Sequence, residues 1–199
     1  MKSAKPTGAE IAGDYALRLN AAMQAADWEG VARLAEAMRA CWSEHRQVFF
    51  CGNGGSAGNA MHLANDFVFG IAKDRGVGLR ALALPSNASV VTCLANDLGY
   101  DRIFSGQLAV QASVGDVLVV LSGSGNSPNI LQALDQARTM GLRSFAILGF
   151  SGGKAKALAD DVIHFAVDDM QIAEDLQLVV GHMIMQWLYR NPPATQERA

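Results

Sequence analysis

Residues 116–129 read DVLVVLSGSGNSPN, an apolar run that leads directly into a loop rich in serine and glycine. A continuous apolar run of this kind is typical of a strand that is buried on both faces of a sheet. Ser127 is a good N-cap residue and Pro128 suits the first helical position, so a helix is expected after the loop. The stretch predicts one strand–loop–helix unit of an α/β protein.

The same unit recurs on both sides of this stretch. Two helical patterns come first, and strands and helices then alternate, which predicts a parallel sheet covered by helices on both faces, a three-layer α/β sandwich. The predicted strands cover residues 47–51, 79–84, 116–122, 143–150 and 162–167, and the two leading helical patterns cover 11–25 and 31–42. Gly141 is expected to end the helix that follows the serine loop.

Composition excludes several classes of protein. The 199 residues are 50% hydrophobic and 18% charged, which is too apolar for a disordered chain. No apolar run approaches the roughly 20 residues of a membrane span, and the first residues lack a signal-peptide core, so a cytoplasmic location without membrane contact is expected.

The net charge of −3 and the absence of a basic stripe disfavour direct nucleic-acid binding. The low charge also predicts that another copy of the chain covers some of the apolar surface.

The three cysteines carry no recognisable redox or metal motif. Cys41, Cys51 and Cys93 are an odd number and form no C-x-x-C pair. They are therefore predicted to be small buried hydrophobic residues and not disulfide partners or metal ligands.

A second glycine-rich loop, CGNGGS at residues 51–56, connects the first predicted strand to a helix. Glycines at this place let a ligand approach the backbone, and a helix N-terminus favours an anion. The segment also fits the dinucleotide pattern G-x-G-x-x-A, but the second strand ends in Leu84-Pro85-Ser86 without the acid that binds ribose. No nucleotide cofactor is therefore predicted, and a tight turn without a ligand stays as the alternative.

The serine loop has more polar groups than capping requires. Capping explains Ser127 and Pro128, but it does not explain Ser122 and Ser124 with glycines between them. Hydroxyls and free backbone N–H groups at a helix start form a phosphate cradle that needs no fixed positive charge. No Gly-Lys-Ser/Thr follows, so the loop is not a P-loop.

Four segments together resemble the phosphoheptose isomerase family of sugar isomerase (SIS) domains. The segments are CGNGGSAGNAMHLANDF (51–67), LANDLGYDRIFS (94–105), GDVLVVLSGSGNSPNILQAL (115–134) and the last helix with His182. The family converts sedoheptulose 7-phosphate to a heptose phosphate for lipopolysaccharide heptose synthesis. The resemblance implies a five-stranded flavodoxin-like sheet in a single SIS domain over 1–199, with helices at 1–46 used in oligomerisation and a core with the final helix at 47–190. It also implies a homotetramer whose active sites lie between subunits.

The resemblance implies a site for a sugar phosphate and for Zn²⁺ or another divalent metal. Asp66 would be the catalytic base and His182 the acid. The implied substrate- and phosphate-binding residues are Asn53, Gly54, Gly55, Ser56, Asn96, Asp97, Ser122, Gly123, Ser124, Ser127 and Glu174. The implied metal ligands are His62, Asp66, Glu174 and His182.

Helix geometry supports only part of this metal site. His62 and Asp66 are four residues apart and share a helix face. Glu174 and His182 are eight residues apart, about 12 Å and about 80° on an ideal helix, so spacing alone does not predict that they converge. A histidine buried on an apolar helix is the alternative interpretation of His182.

A second functional hypothesis is a non-catalytic sugar-phosphate-binding regulator or adaptor. Relatives of the family include a tetramer that binds the replication initiator protein. Asp66 is one methylene shorter than the glutamate of the family, and Gln177 stands where the family has a histidine near the metal. An adaptor needs no metal, so bound metal would discriminate between the two hypotheses.

Overall fold

A computed structural model describes residues 5–74 and 76–194. Residues 1–4 and 195–199, which the predicted domain includes, lie outside the described residues. The helices are α1 (Gly8–Gln24), α2 (Glu29–Ser43), α3 (Gly55–Val68), α4 (Ala88–Asp97), α5 (Ser105–Gln111), α6 (Pro128–Met140), α7 (Ala155–Leu158) and α8 (Met170–Arg190). The strands are β1 (Gln47–Cys51), β2 (Arg80–Ala83), β3 (Val117–Ser122), β4 (Arg143–Leu148) and β5 (Asp161–His164).

The strands in the described residues form one parallel sheet in the order β2-β1-β3-β4-β5. This confirms the predicted five-stranded flavodoxin-like sheet with two leading helices. The strand order changes direction between β1 and β3, which is where ligands bind in open sheets of this kind. The loops that follow β1 and β3 are the two loops that the sequence analysis selected, so they open into the same crevice.

Alternating residues of each strand pack into two separate apolar layers. In β1, Val48 and Phe50 pack toward α2, α3 and α8, whereas Phe49 and Cys51 pack toward α5, α6 and α7. A strand places successive side chains on opposite faces, so a strand that is apolar throughout supplies both layers. Full burial of each large side chain contributes about 1.5–3 kcal/mol, and the two layers therefore hold the loops on a rigid sheet.

The last two strands end earlier than the sequence predicts. β4 ends at Leu148 instead of residue 150 because Phe150 adopts a left-handed backbone, with φ of 45°. β5 spans Asp161–His164 instead of 162–167. Past its end, the Val167 N–H donates to the carbonyl of Phe165, two residues back, which is a turn and not a ladder bond.

Two of the three cysteines are buried as predicted, and none forms a disulfide. Cys93 is exposed, so its predicted burial was wrong. It lies on α4, a helix without fully buried residues, and its thiol contacts the carboxylate of Asp97 at 3.5 Å. The apolar pattern of α4 reflects partial burial of Val91, Leu94 and Ala95 against the second apolar layer and not full burial.

The first helix leaves most of its apolar side chains exposed. No residue of α1 is buried, and Ile11 and Leu17 are exposed. The helix is held to α8 by the Tyr15 hydroxyl, which donates to Asp175 at 2.6 Å, and by an ion pair between Arg18 and Asp169. Within the described part of the chain, no helix has the length and apolar character needed to span a bilayer.

Candidate functional site

The loops after β1 and β3 line one cavity of about 250 Å³ with the start of α8. It contains one charged side chain, Glu174, and otherwise hydroxyls, amides and glycines. The lining residues are Asn53, Gly54, Gly55, Ser56, Leu121, Ser122, Gly123, Ser124, Ser127, Met170 and Glu174. The cavity therefore brings together nine of the substrate-binding residues that the resemblance implied.

The serine loop leaves its hydroxyl hydrogens free for a ligand. Ser122 Oγ accepts the N–H of Gly125 at 3.0 Å, and Ser124 Oγ accepts the N–H of Asn126 at 3.3 Å. A serine hydroxyl can accept and donate at once, and neither residue donates to another described side chain or carbonyl. Ser127 is the N-cap of α6, as predicted, but its side chain makes no capping hydrogen bond. Three O–H groups are thus available to one anion at the start of α6.

The conformation of the serine loop depends on a close contact with the loop after β4. Gly125 has φ of 65°, and a Cβ there would lie 2.0 Å from the carbonyl oxygen of Gly152. The two loops are joined by bonds from Ala155 N to Gly125 O at 2.9 Å and from Lys154 N to Asn126 Oδ1 at 3.1 Å. Only glycine fits this approach, so Gly125 fixes the loop in the position that presents its serines.

An amide pair joins the two loops across the strand switch. Asn53 and Asn129 exchange two hydrogen bonds through their side-chain amides, at 2.9 and 2.8 Å. The Tyr100 hydroxyl donates to the Oδ1 of Asn53 at 3.2 Å. These bonds orient the Asn53 amide at the wall of the cavity.

Helix α8 lies directly over the start of α3. The carboxylate of Glu174 lies so close to Gly55 that a Cβ on this glycine would meet it at 2.2 Å. The buried Gln177 donates to the Ser56 hydroxyl at 3.0 Å and accepts from Asn59 at 3.0 Å. Asn59 also donates to the backbone carbonyl of Glu174 at 2.9 Å. This polar contact sets the position of the Glu174 side chain in the cavity.

Further along the same two helices, two histidines and an aspartate converge. The Nε2 atoms of His62 and His182 are 3.0 Å apart, and each lies 3.4 Å from the Oδ2 of Asp66. No lysine or arginine pairs with Asp66 in the part of the chain that is described. The side chains are 50%, 44% and 16% exposed for His62, His182 and Asp66, so the cluster is open to solvent on one side.

The spacing of these donor atoms fits a small divalent metal ion. Ligands at about 2.0–2.1 Å from a tetrahedral zinc ion lie about 3.3 Å from one another. The three separations of 3.0, 3.4 and 3.4 Å match such edges, and all ligand atoms of the group lie within 4.8 Å of one another. Two imidazoles with one carboxylate are a zinc donor set that leaves a fourth position for substrate or water.

Two residues that the resemblance implied as sugar-binding lie outside the cavity, and one implied metal ligand lies outside the metal-ligating group. Asn96 and Asp97 are exposed at the end of α4, where their side chains bond to each other at 2.7 Å, and they do not line the cavity. Glu174 lines the cavity but is not part of the metal-ligating group, which contains His62, Asp66 and His182. Their predicted contacts with sugar or metal stay predictions.

The sequence analysis missed several residues that build the site. Asn129 follows Pro128 in the quoted serine loop, and a polar residue in the first turn of that helix was the available signal. Gln177 was noted only as a replacement near the metal, and its hydrogen bonds to Ser56 and Asn59 were missed, although it is a polar residue on an apolar helix. Met170 and Tyr100 gave no signal, because apolar and aromatic residues at these positions do not differ from ordinary packing residues.

Comparisons with known proteins identify the family to which the chain belongs. The SIS domain family profile matches residues 13–149. The chain is 39% identical over 170 residues to the phosphoheptose isomerase of Akkermansia muciniphila, covering 85% of this chain and 87% of the relative. It is 36% identical over 170 residues to that of Nitratidesulfovibrio vulgaris, covering 83% and 81%.

Solved structures extend the comparison to the whole fold. The phosphoheptose isomerase of Neisseria gonorrhoeae superposes with a TM-score of 0.81 at 29% identity, covering 89% of this chain and 96% of the other. That of Francisella tularensis superposes with a TM-score of 0.86 at 24% identity, covering 93% and 100%. The chain is therefore a member of the SIS-domain phosphoheptose isomerase family and an isomerase.

Proposed function

We propose that the protein interconverts a ketose phosphate and an aldose phosphate, sedoheptulose 7-phosphate and heptose 7-phosphate or a close analogue. One observation carries the proposal. The hydroxyl-lined cavity and the His62–Asp66–His182 cluster lie at two points along the same pair of helices. From Gly55 to His62 is about 10 Å along α3, and from Glu174 to His182 is about 12 Å along α8. A sugar whose phosphate and carbonyl are at opposite ends of its carbon chain fits this separation.

The cavity is the proposed phosphate end of the site. The hydroxyls of Ser122, Ser124 and Ser127 donate to the phosphate oxygens, and the N-termini of α3 and α6 add backbone N–H donors. Glu174 carries a negative charge and accepts hydrogen bonds from sugar hydroxyls next to the phosphate. Binding at this end, remote from the reacting carbons, positions the substrate for reaction.

The cluster is the proposed reacting end. Ketose–aldose isomerisation moves a proton between adjacent carbons through an enediolate, so it needs a base at carbon and a proton source at oxygen. Asp66 directs Oδ2 toward both histidines, while among the described residues Oδ1 accepts only a 3.4 Å contact from Asn65. Oδ1 is thus the oxygen proposed to take the carbon-bound proton. His182 is the proposed proton source at the substrate oxygen, and its partial exposure lets it exchange protons with water.

We propose that His62, Asp66 and His182 hold a divalent metal ion, with Zn²⁺ as the first candidate, and the resemblance implies Glu174 as a further ligand. A bound ion would act as a Lewis acid that polarises the substrate carbonyl. The donor spacing described above supports this assignment. No nucleotide cofactor is proposed.

We propose that residues 1–199 form a single SIS domain that assembles as a cytoplasmic homotetramer with active sites between subunits. Helix α1 has no buried residue in the single chain and exposes Ile11 and Leu17. An apolar helix face of this kind is a natural contact between copies. Asn96 and Asp97, which lie outside the cavity of the single chain, are proposed to contact the sugar in the assembly.

Turnover in heavy water tests the function directly. Purified zinc-loaded protein is incubated with sedoheptulose 7-phosphate in D₂O, and the products are followed by ¹H and ³¹P NMR. The expected result is an aldose phosphate that carries deuterium at carbon 2, since an enediolate is reprotonated from solvent. The His182→Gln variant is the matched control. Absence of turnover with a panel of ketose and aldose phosphates would contradict the proposal.

A further inference from the structure

A second cavity of about 300 Å³ lies outside the candidate active site and shares no residue with it. It is formed by the end of α4, the turn that follows, α5 and α6. The lining residues are Leu98, Arg102, Ser105, Gly106, Ala109 and Gln136. None of them has a role in the proposed isomerase reaction.

The wall of this cavity contains an unpaired buried hydroxyl. Ser105 is 4% exposed, and within residues 5–74 and 76–194 its Oγ is the one buried side-chain N or O atom without a hydrogen-bond partner. Buried hydroxyls nearly always have a partner, because an unpaired one loses its hydrogen bonds to water without replacement. The Oγ is closed to solvent, so a rotation of the Ser105 side chain toward the cavity would let a bound ligand supply the missing partner.

The other polar groups of the cavity are complementary to a single negative charge. Arg102 makes no ion pair with a described residue, and its one hydrogen bond, to Gln132, is long at 3.4 Å. The guanidinium therefore has free N–H donors in a planar arrangement that matches a carboxylate. The Gln136 amide makes no side-chain hydrogen bond within the described chain either, and no acidic side chain of that part lines the cavity.

We propose that this cavity binds a small organic monocarboxylate. Its carboxylate pairs with Arg102 and accepts the O–H of Ser105, and its apolar part lies against Leu98 and Ala109. One guanidinium balances one carboxylate charge, whereas a phosphate dianion would leave a charge unpaired. The site is independent of the isomerase reaction, so the outcome of its test does not depend on whether the proposed function is correct.

Thermal shift and isothermal titration calorimetry with benzoate test the proposal, with benzyl alcohol as the uncharged probe. Benzoate is expected to bind saturably and to raise Tm, and benzyl alcohol is not. The Arg102→Gln variant should weaken benzoate binding at least tenfold. The control variant Arg138→Gln removes the same charge from α6 outside the cavity and should bind benzoate like the unmodified protein. Absence of saturable binding, or an equal loss in both variants, would overturn the proposal.

The Ser105→Ala variant gives a second, independent readout. Removing an unpaired buried hydroxyl should raise Tm of the ligand-free protein by about 2–4 °C. The same substitution should weaken benzoate binding several-fold, because the carboxylate loses a donor. A lower ligand-free Tm would show that the hydroxyl has a partner within the protein and would overturn the assignment.

Discussion

The Nε2 atoms of His62 and His182 lie 3.0 Å apart, although 120 positions separate the two residues in the sequence. The approach depends on Gly181, where an added Cβ would lie 2.1 Å from a methyl carbon of Leu63. Glycine at this position lets α8 come this close to α3. His182, which follows Gly181, and His62, which precedes Leu63, therefore meet over Asp66. A close helix crossing thus forms the ligand cluster.

Removal of one histidine should remove the metal. His62→Gln is expected to lower bound zinc from about one ion per chain to a small fraction, since two ligands hold zinc far more weakly than three. Metal content is measured by mass spectrometry on protein purified after growth with zinc. His45→Asn, which changes an exposed histidine with a left-handed backbone, should leave the metal content unchanged. Equal zinc in the two variants would exclude the cluster as the metal site.

Loss of the proposed base should stop turnover without unfolding the protein. Asp66→Asn is expected to lower kcat by about 10²–10⁴, the usual contribution of a general base. Metal content is measured on the same samples, because this carboxylate is also a proposed ligand. Asp66→Glu, which keeps a carboxylate, should retain far more activity. If Asp66→Asn retained full turnover, another residue would be the base.

A methyl group on Gly55 should displace Glu174 from the cavity. The added Cβ would lie 2.2 Å from the carboxylate, so Gly55→Ala is expected to raise KM at least tenfold. Gly58→Ala on the same helix is the matched control, because a Cβ there meets nothing within 4 Å. This control should keep KM and stabilise the protein by up to about 1 kcal/mol, as measured by urea unfolding. A normal KM for Gly55→Ala would remove Glu174 from the substrate site.

The hydroxyl of Ser127 should affect binding and not stability. It makes no capping bond, so Ser127→Ala is expected to leave Tm unchanged. Loss of one hydrogen bond to a phosphate should raise KM by about tenfold. Asn87→Ala is the opposite case, because Asn87 caps α4 by accepting from Val90 N at 3.2 Å. The Asn87→Ala variant should lower the free energy of unfolding by about 1 kcal/mol and leave KM unchanged. A large loss of Tm in Ser127→Ala, with normal KM, would contradict the assignment.

An acid-sensitive ion pair joins α2 to the edge of the sheet. Burial acts to raise the pKa of Asp161, but the hydrogen bonds from Arg33 and Arg143 outweigh it, so this pKa lies below its usual value. Protonation therefore favours the unfolded chain. The stabilisation is present above the normal carboxyl pKa and is lost as the pH falls through the lowered one.

Asp161→Asn should accordingly lower the free energy of unfolding by about 1–2 kcal/mol at pH 7, and the difference should disappear as the pH falls through the lowered pKa of Asp161. Urea unfolding at several pH values measures it. Asp135→Asn, which breaks an exposed pair with Arg138, should have little effect at any pH. A difference for Asp161→Asn that persists undiminished at low pH would show that packing, not charge, is responsible.

The sheet could be predicted from the sequence because its signal is local. The apolar runs at 47–51 and 116–122 became β1 and β3 within one residue at each end. The ends of β4 and β5 were missed, because the left-handed backbone at Phe150 and the turn at Val167 depend on neighbouring loops. The exposure of Cys93 was missed because partial contact and full burial give the same apolar pattern.

The sequence by itself determined the alternating α/β order, the two glycine-rich loops at the strand ends and the shared helix face of His62 and Asp66, since each depends on residues close together in the chain. Only the tertiary structure decided that His182 completes this cluster and that Glu174 turns instead toward Gly55. Both facts follow from how α8 crosses α3. The crossing depends on contacts between residues more than a hundred positions apart, and no periodicity within either helix encodes it.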